Sequence, residues 1–331
     1  MGTLLRERWF EAAEVSALCD GASLAAFHES ARRAAAECAF DSARVERFSE
    51  LADSLAVQQH APNAYARLAL RRVERLGIFG LELVALYGRP VEAGSSGAVW
   101  DPALRLADET DVDVRHDEEA CVSARIFAAP VPVQSEAAVV ARSQRGESQS
   151  GDDALIQRGA DTLTLCVADG LGHGPVARTA ASAVVGTVQR ARGAAPSTAL
   201  AECHTRLRAT RGAVAACARW NFGSGTIEHA SAGNVATWLI SPRGVKGFGA
   251  RACVLGVTPA DRLGLSDVRV TPSSDGILVM YSDGIASEAS LDERPILLRA
   301  HPIAIADYLS RRFGTDGDDS LVLVARSGVE R

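Results

Sequence analysis

The chain has 331 residues, 47% of them apolar and 23% charged, the balance of a soluble globular protein long enough for two ordinary domains. Its formal net charge of −6 offers no general attraction to nucleic acid or to acidic membrane surfaces. Lys246 is the single lysine, which leaves P-loop and Schiff-base chemistry almost no residue to use; the other basic residues are arginines.

Residues 11–75 are expected to be helical. Ala and Glu dominate, and apolar residues recur at helical spacing, as in Phe48, Leu51, Ala52 and Leu55. A strand follows at Leu81–Leu86 and is stopped by Gly88, Arg89 and Pro90. The alternation of Ala120–Phe127 predicts another strand, and AAPVPVQSEAA after it reads as a seam between domains. The division is therefore 1–129 and 132–331.

Beyond the seam the pattern turns to strands, at Thr162–Ala168, Ala213–Ala218, Thr226–Ala230, Val235–Ile240, Ile277–Tyr281 and Leu321–Ala325. Helices are predicted at Pro175–Arg190, with Val176, Ala180, Val184 and Val188 on one stripe, and at Ser197–Arg208, with Leu200, Cys203 and Leu207. A third covers Ile303–Arg312, with Pro302 near its first turn. Strands around long helices imply two sheets packed face to face with helices outside.

MGTLLRERWFEAAEV lacks the apolar stretch of a signal peptide, and no run approaches the roughly 18 apolar residues of a membrane span. The seven cysteines are dispersed, with no C-x-x-C pair, as suits buried side chains in a reducing compartment. A cytoplasmic location is expected.

Aspartates recur at strand ends beside glycine. Asp169 ends LCVAD and precedes GLGHG and a helix; Asp283 ends ILVMYSD and precedes Gly284. Asp318 and Asp319 follow Gly317 and open SLVLVAR, while Asp152 lies in SGDD. Carboxylates on rigid strand ends suit hard divalent ions such as Mg²⁺ or Mn²⁺. A glycine beside each lets backbone come close and can free a carbonyl. A pair of such ions would serve phosphate-ester hydrolysis without a protein nucleophile. Any single Asp-Gly after a strand is ordinary turn chemistry; four in order carry the signal.

LCVADGLGHGPVA resembles the core motif of the SpoIIE/RsbU-type phosphatases, a bacterial branch of the PP2C fold, in wording closest to the stressosome phosphatases of the RsbX kind. Gly146-Glu147 with SGDD, SAGNVATWLI, MYSDGIASE and DDSLVLVAR resemble its other motifs in family order. The resemblance implies an α+β fold, an α-β-β-α sandwich with two Mn²⁺ or Mg²⁺ ions at one end. It implies metal ligation by Asp152, Asp169, Asp283 and Asp318 and by the Gly170 carbonyl, with Asp169 and Asp283 essential to catalysis. The implied reaction is hydrolysis of phosphoserine or phosphothreonine by a metal-bridged water. The implied substrates are STAS-domain antagonists in a partner-switching or stress pathway. Leu321 departs from the threonine frequent in the family.

Arg158 is a possible phosphate contact, weighed against a solvated surface role. His173 could hand a proton to the leaving serine, although the family tolerates several residues there. Asn234 and Asp319 read as supporting residues, and Cys166 as core.

The N-terminal half resembles the anti-sigma-factor serine kinases of the GHKL fold, through ERFSELADSLAVQQHA, GLELVALYGRP and GAVWDPALRLADETDVDV. The Mg²⁺-holding asparagine of that family falls on Ser54, its adenine-reading aspartate on Tyr87, and its glycine-rich loop is reduced to YGRP. Glu50 alone matches a catalytic position. A site stripped of its polar partners should bind nucleotide poorly, so this half is expected to be a non-catalytic relic that binds a partner or dimerises. The alternatives to a phosphatase are a pseudophosphatase that only binds a phosphoprotein, and a bifunctional kinase–phosphatase switch.

Overall fold

The structure, a computed structural model, describes residues 14–17, 21–56, 67–87, 96–115, 120–131, 135–159, 161–241, 243–292 and 295–327. The chain divides into two compact units between Glu136 and Ala137.

In the N-terminal unit, strand β1 (Glu14–Ala17) precedes helices α1 (Gly21–Glu37) and α2 (Ser42–Ala56). The helical expectation for 11–75 fails at both ends: Glu14–Ala17 is strand β1, residues 57–66 lie outside the described residues, and Arg67–Arg75 is strand β2, paired antiparallel with β3 (Ile78–Tyr87). The turn between them decides this. Leu76 and Gly77 both have positive φ, 52° and 79°, the two-residue hairpin geometry whose twist matches paired strands. Cross-strand pairing then overrides the helix propensity of Arg and Glu. Helix α3 (Ser96–Leu106) stops early, and ETDVDVR forms an unforeseen strand, β4 (Glu109–Arg115), alongside β5 (Ala120–Phe127). The order is β1-β2-β3-β5-β4. Leu51 and Leu55 of α2 and Leu81 and Leu83 of β3 are fully buried. The Tyr87 hydroxyl donates to the Leu55 carbonyl at 2.9 Å. Gly88, Arg89 and Pro90, the expected stop of β3, lie outside the described residues.

The C-terminal unit begins within β6 (Ser135–Arg142), so SEAA, read as part of the seam, is already strand. Then come β7 (Asp152–Arg158), β8 (Thr162–Gly170), α4 (Gly174–Arg190), α5 (Pro196–Arg206), β9 (Ala213–Asn221), β10 (Thr226–Ala232), β11 (Ala236–Ser241), β12 (Gly244–Gly247), β13 (Val268–Val270), β14 (Ile277–Tyr281), α6 (Pro302–Phe313) and β15 (Ser320–Ser327). One sheet runs β13-β10-β9-β8-β7, and the other contains β6-β15-β14-β11-β12.

Alternation along the strands builds two cores. Ile156, Leu165, Val167, Ala216, Trp220, Leu278, Met280, Leu321 and Leu323 form the layer between the sheets. The opposite residues of β8 and β9, Cys166, Ala168, Ala215 and Cys217, pack with Ala181, Val184, Val188, Leu200, Cys203 and Leu207 of the α4–α5 side. Helix α6 buries Ile303, Ile305, Ala306 and Leu309. The apolar stripe of α4 runs through Ala177, Ala180, Ala181, Val184, Val185 and Val188; Val176, expected on it, is 53% exposed.

Candidate metal centre

The strands bring the predicted aspartates to one end of the C-terminal unit. Asp152 at the start of β7 lies directly opposite Asp169 near the end of β8. Asp283 follows β14, near enough for its charge to act on the Asp169 carboxyl. Asp318 and Asp319 immediately precede β15, antiparallel to β14. Asp152 is 1% exposed, whereas Asp283 and Asp318 face solvent.

Electrostatics follow from this crowding. Burial pushes Asp152 up to about 8; the Ser282 hydroxyl opposes that rise, while the charges of Asp319, Asp283 and Asp318 add to it. Asp169 is pushed up to about 9 by burial and by Asp152, Asp283 and Asp318. Asp318, though solvent-facing, is raised by partial desolvation and by the charges of Asp283 and Asp319, while the Asp319 N–H and His173 act against the rise. Carboxylates held together like this repel one another and favour protons unless a cation neutralises them. The donor set is all oxygen and fits Mg²⁺ or Mn²⁺. Among the described residues no three acidic, His or Cys side chains stand close enough together to hold a metal ion as they are.

The supporting bonds are specific. Ser282 Oγ donates to Asp152 at 2.6 Å and accepts the Leu321 N–H at 2.9 Å. Arg178 on α4 donates to the Asp152 carbonyl at 2.8 Å, fixing its backbone. Asn234 donates to Asp283 at 2.9 Å. Asp319 accepts the N–H groups of Gln144 and Gly151, each at 2.7 Å, and so ties the 143–151 loop to the start of β15. Leu321 enters only through its backbone, so the departure from threonine leaves this arrangement intact.

Two glycines are required by packing. A methyl at Gly170 would drive into the Ala177 carbonyl of α4, and one at Gly284 into the Asp319 carbonyl. Gly172 has φ +94°, and the Arg211 guanidinium lies 3.0 Å from where its Cβ would stand.

His173 is at the rim, its Nδ1 hydrogen-bonded to Glu147 at 2.6 Å. Arg158 does not join the site. It closes β7 six residues from Asp152, roughly 20 Å away at strand rise. Cys166 is fully buried opposite Cys217. Ser282, Arg178 and Arg211 were not singled out from sequence. Ser282 had a signal, as the residue before Asp283; Arg178 and Arg211 are placed only by tertiary packing.

The sequence model of the family described as Stage II sporulation protein E (SpoIIE) matches residues 159–327, just over half of the 331. The chain belongs to this family. It is 29% identical over 102 residues to the phosphoserine phosphatase RsbX of Bacillus subtilis (strain 168), a match covering 31% of this chain and 51% of that protein. The chain thus spans about half the length of the curated relative it matches. A solved structure from work on the bacterial stressosome is similar at 28% identity and TM-score 0.54, over 58% of this chain and all of that one. RsbX in complex with magnesium is similar at 21% identity and TM-score 0.53, over 59% of this chain and 96% of that one. The PP2C phosphatase domain of Bacillus subtilis SpoIIE, with a fragment of its regulatory domain, matches at 15% identity and TM-score 0.51, over 94% of this chain and 96% of that one. These likenesses establish a mixed α+β architecture similar to the PP2C phosphatases.

Proposed function

We propose that this protein is a metal-dependent serine/threonine phosphatase acting on a phosphorylated regulatory protein. The observation that carries the reading is the carboxylate cluster at the strand ends, with Asp152 and Asp169 forced up to about 8 and about 9. Such a cluster is costly unless a divalent ion belongs in it. Asp152, Asp169, Asp283 and Asp318, with the Gly170 carbonyl, would hold two Mn²⁺ or Mg²⁺ ions. Bound there, the ions supply charge neutralisation for a phosphoryl group and lower the pKa of water.

The chain's own residues do the positioning. Ser282 and Arg178 hold Asp152 from its side chain and its backbone. Asn234 orients Asp283, and Asp319 anchors the loop that carries Gly151. Glu147 holds the His173 ring at the rim of the site through Nδ1.

The substrate class we favour is a phosphorylated STAS-domain antagonist of a partner-switching pathway. Support comes from family membership, the RsbX likeness and the stressosome-related structure. Among the described residues no helix is long and apolar enough to cross a membrane.

We read the N-terminal unit as a GHKL-like relic that binds a partner or dimerises. Tyr87, where that resemblance expects the adenine-reading aspartate, is 2% exposed and spends its hydroxyl on Leu55. A kinase–phosphatase switch requires nucleotide at this place; ATP binding in a direct titration would revive it.

The test is release of phosphate from a phosphoserine STAS protein with and without Mn²⁺. Metal-dependent release supports the reading. Binding of the phosphoprotein without release favours a pseudophosphatase.

A further inference from the structure

We propose that Arg211 is the residue that grips the phosphoryl group at this site. The proposal deepens the phosphatase reading and rests on it.

Four carboxylates attract divalent ions but repel a phosphate ester, which needs positive donors of its own. Arg178 is committed elsewhere: it bonds the Asp152 carbonyl and lies against Asp153. Arg158 is at the far end of β7. Arg211 is different. It stands in the turn just before β9, whose first residue, Ala213, is paired with Gly170.

Backbone bonds fix that turn against the Asp169-Gly170 loop. The Leu171 N–H donates to the Gly212 carbonyl at 3.1 Å. The Gly212 N–H donates to Thr210 Oγ1 at 3.0 Å, with Gly212 at φ +93°. The guanidinium reaches back to Gly172, with Nη1 3.0 Å from where a side chain would begin. Gly172 therefore provides both the left-handed turn and the space the arginine occupies.

Arg211 is exposed, and among the described residues no ion pair or hydrogen bond engages its guanidinium. A planar fork of donors beside the metal centre is suited to two oxygens of one phosphoryl group, and lysine reproduces the charge without the fork.

The test is calorimetric titration of inorganic phosphate into the 331-residue chain with Mg²⁺ present, for wild type, Arg211→Ala, Arg211→Lys and Arg145→Ala. Arg145 is the control because it is also exposed and sits in the loop bonded to Asp316. Arg211→Ala should weaken phosphate binding about tenfold or more, as for one lost charge-assisted pair. Mg²⁺ affinity and Tm should be unchanged, and Arg211→Lys should recover part of the loss. Steady-state kinetics on a phosphoserine peptide should then place the Arg211→Ala defect mainly in KM.

The proposal is overturned if wild type does not bind phosphate, or if Arg211→Ala binds it normally. It is equally overturned if the loss tracks Tm or Mg²⁺ affinity, or appears in Arg145→Ala instead. Phosphate binding that depends on Arg211 without turnover would keep this assignment and sink the phosphatase reading.

Discussion

Stripped of divalent ions, the folded protein should lose stability as pH rises from about 7 to 8. Asp152 and Asp169 have folded pKa values of about 8 and about 9 against an ordinary value of 3.8. In this window the folded state keeps most of two protons that the unfolded chain has already released. The folded state binds more protons, so stability falls with increasing pH. Two fully protonated groups give a slope of at most about 2.7 kcal/mol per pH unit, and partial ionisation near pH 8 reduces the loss to about 2 kcal/mol.

His229, lowered to about 4 by burial from an ordinary 6.5, acts in the opposite sense but only below its unfolded value, which sets the lower edge of the window. The expected drop corresponds to roughly 4–8 °C in Tm for a unit of this size. Urea unfolding in chelator at a series of pH values measures it. Saturating Mn²⁺ should flatten the profile, because both carboxylates are then ionised in the folded state as well. Asp169→Asn in chelator should remove at least half of the slope, because the two carboxylates titrate as a pair. Stability that is level or rising across the window in chelator would refute the electrostatic account of the cluster.

Three further outcomes follow. Ser282→Ala removes a donor to buried Asp152 and leaves the Leu321 N–H without its acceptor; it should cost about 2 kcal/mol of stability, read by urea unfolding, and weaken Mn²⁺ binding in a titration. A chain beginning near residue 132 keeps all of β6 and should fold with phosphatase activity, whereas aggregation would mean that the two halves share a core. The 331-residue chain should bind ATP negligibly in an equilibrium titration, because Tyr87 is buried and bonded to Leu55.

The C-terminal unit was readable because its strands alternate and its aspartates stand at strand ends beside glycine. That pattern singles out Asp152, Asp169, Asp283 and Asp318. What escaped was non-local. Arg67–Arg75 has helix-favouring residues, and only the Leu76-Gly77 hairpin and its pairing with β3 make it a strand. ETDVDVR hid its alternation behind acidic residues that the fold buries. Arg178 sits on a helix and touches Asp152 across 26 positions of sequence, and Arg211 reaches the site only because β9 lies beside β8. Arg158, weighed as a phosphate contact, ends the strand that Asp152 begins, and the length of that strand keeps it from the cluster.

The central claim is that the aspartate cluster holds the ions that make this chain a phosphatase. Its most direct test is the initial rate of phosphoserine-peptide hydrolysis against Mn²⁺ concentration, for wild type and for Asp169→Asn and Asp283→Asn. The account predicts saturable Mn²⁺ dependence in wild type. Each variant should lose at least roughly a hundredfold in rate, the scale on which single electrostatic groups act in such sites, with the fold preserved. Hydrolysis that ignores Mn²⁺, or that survives unchanged in both variants, would contradict it.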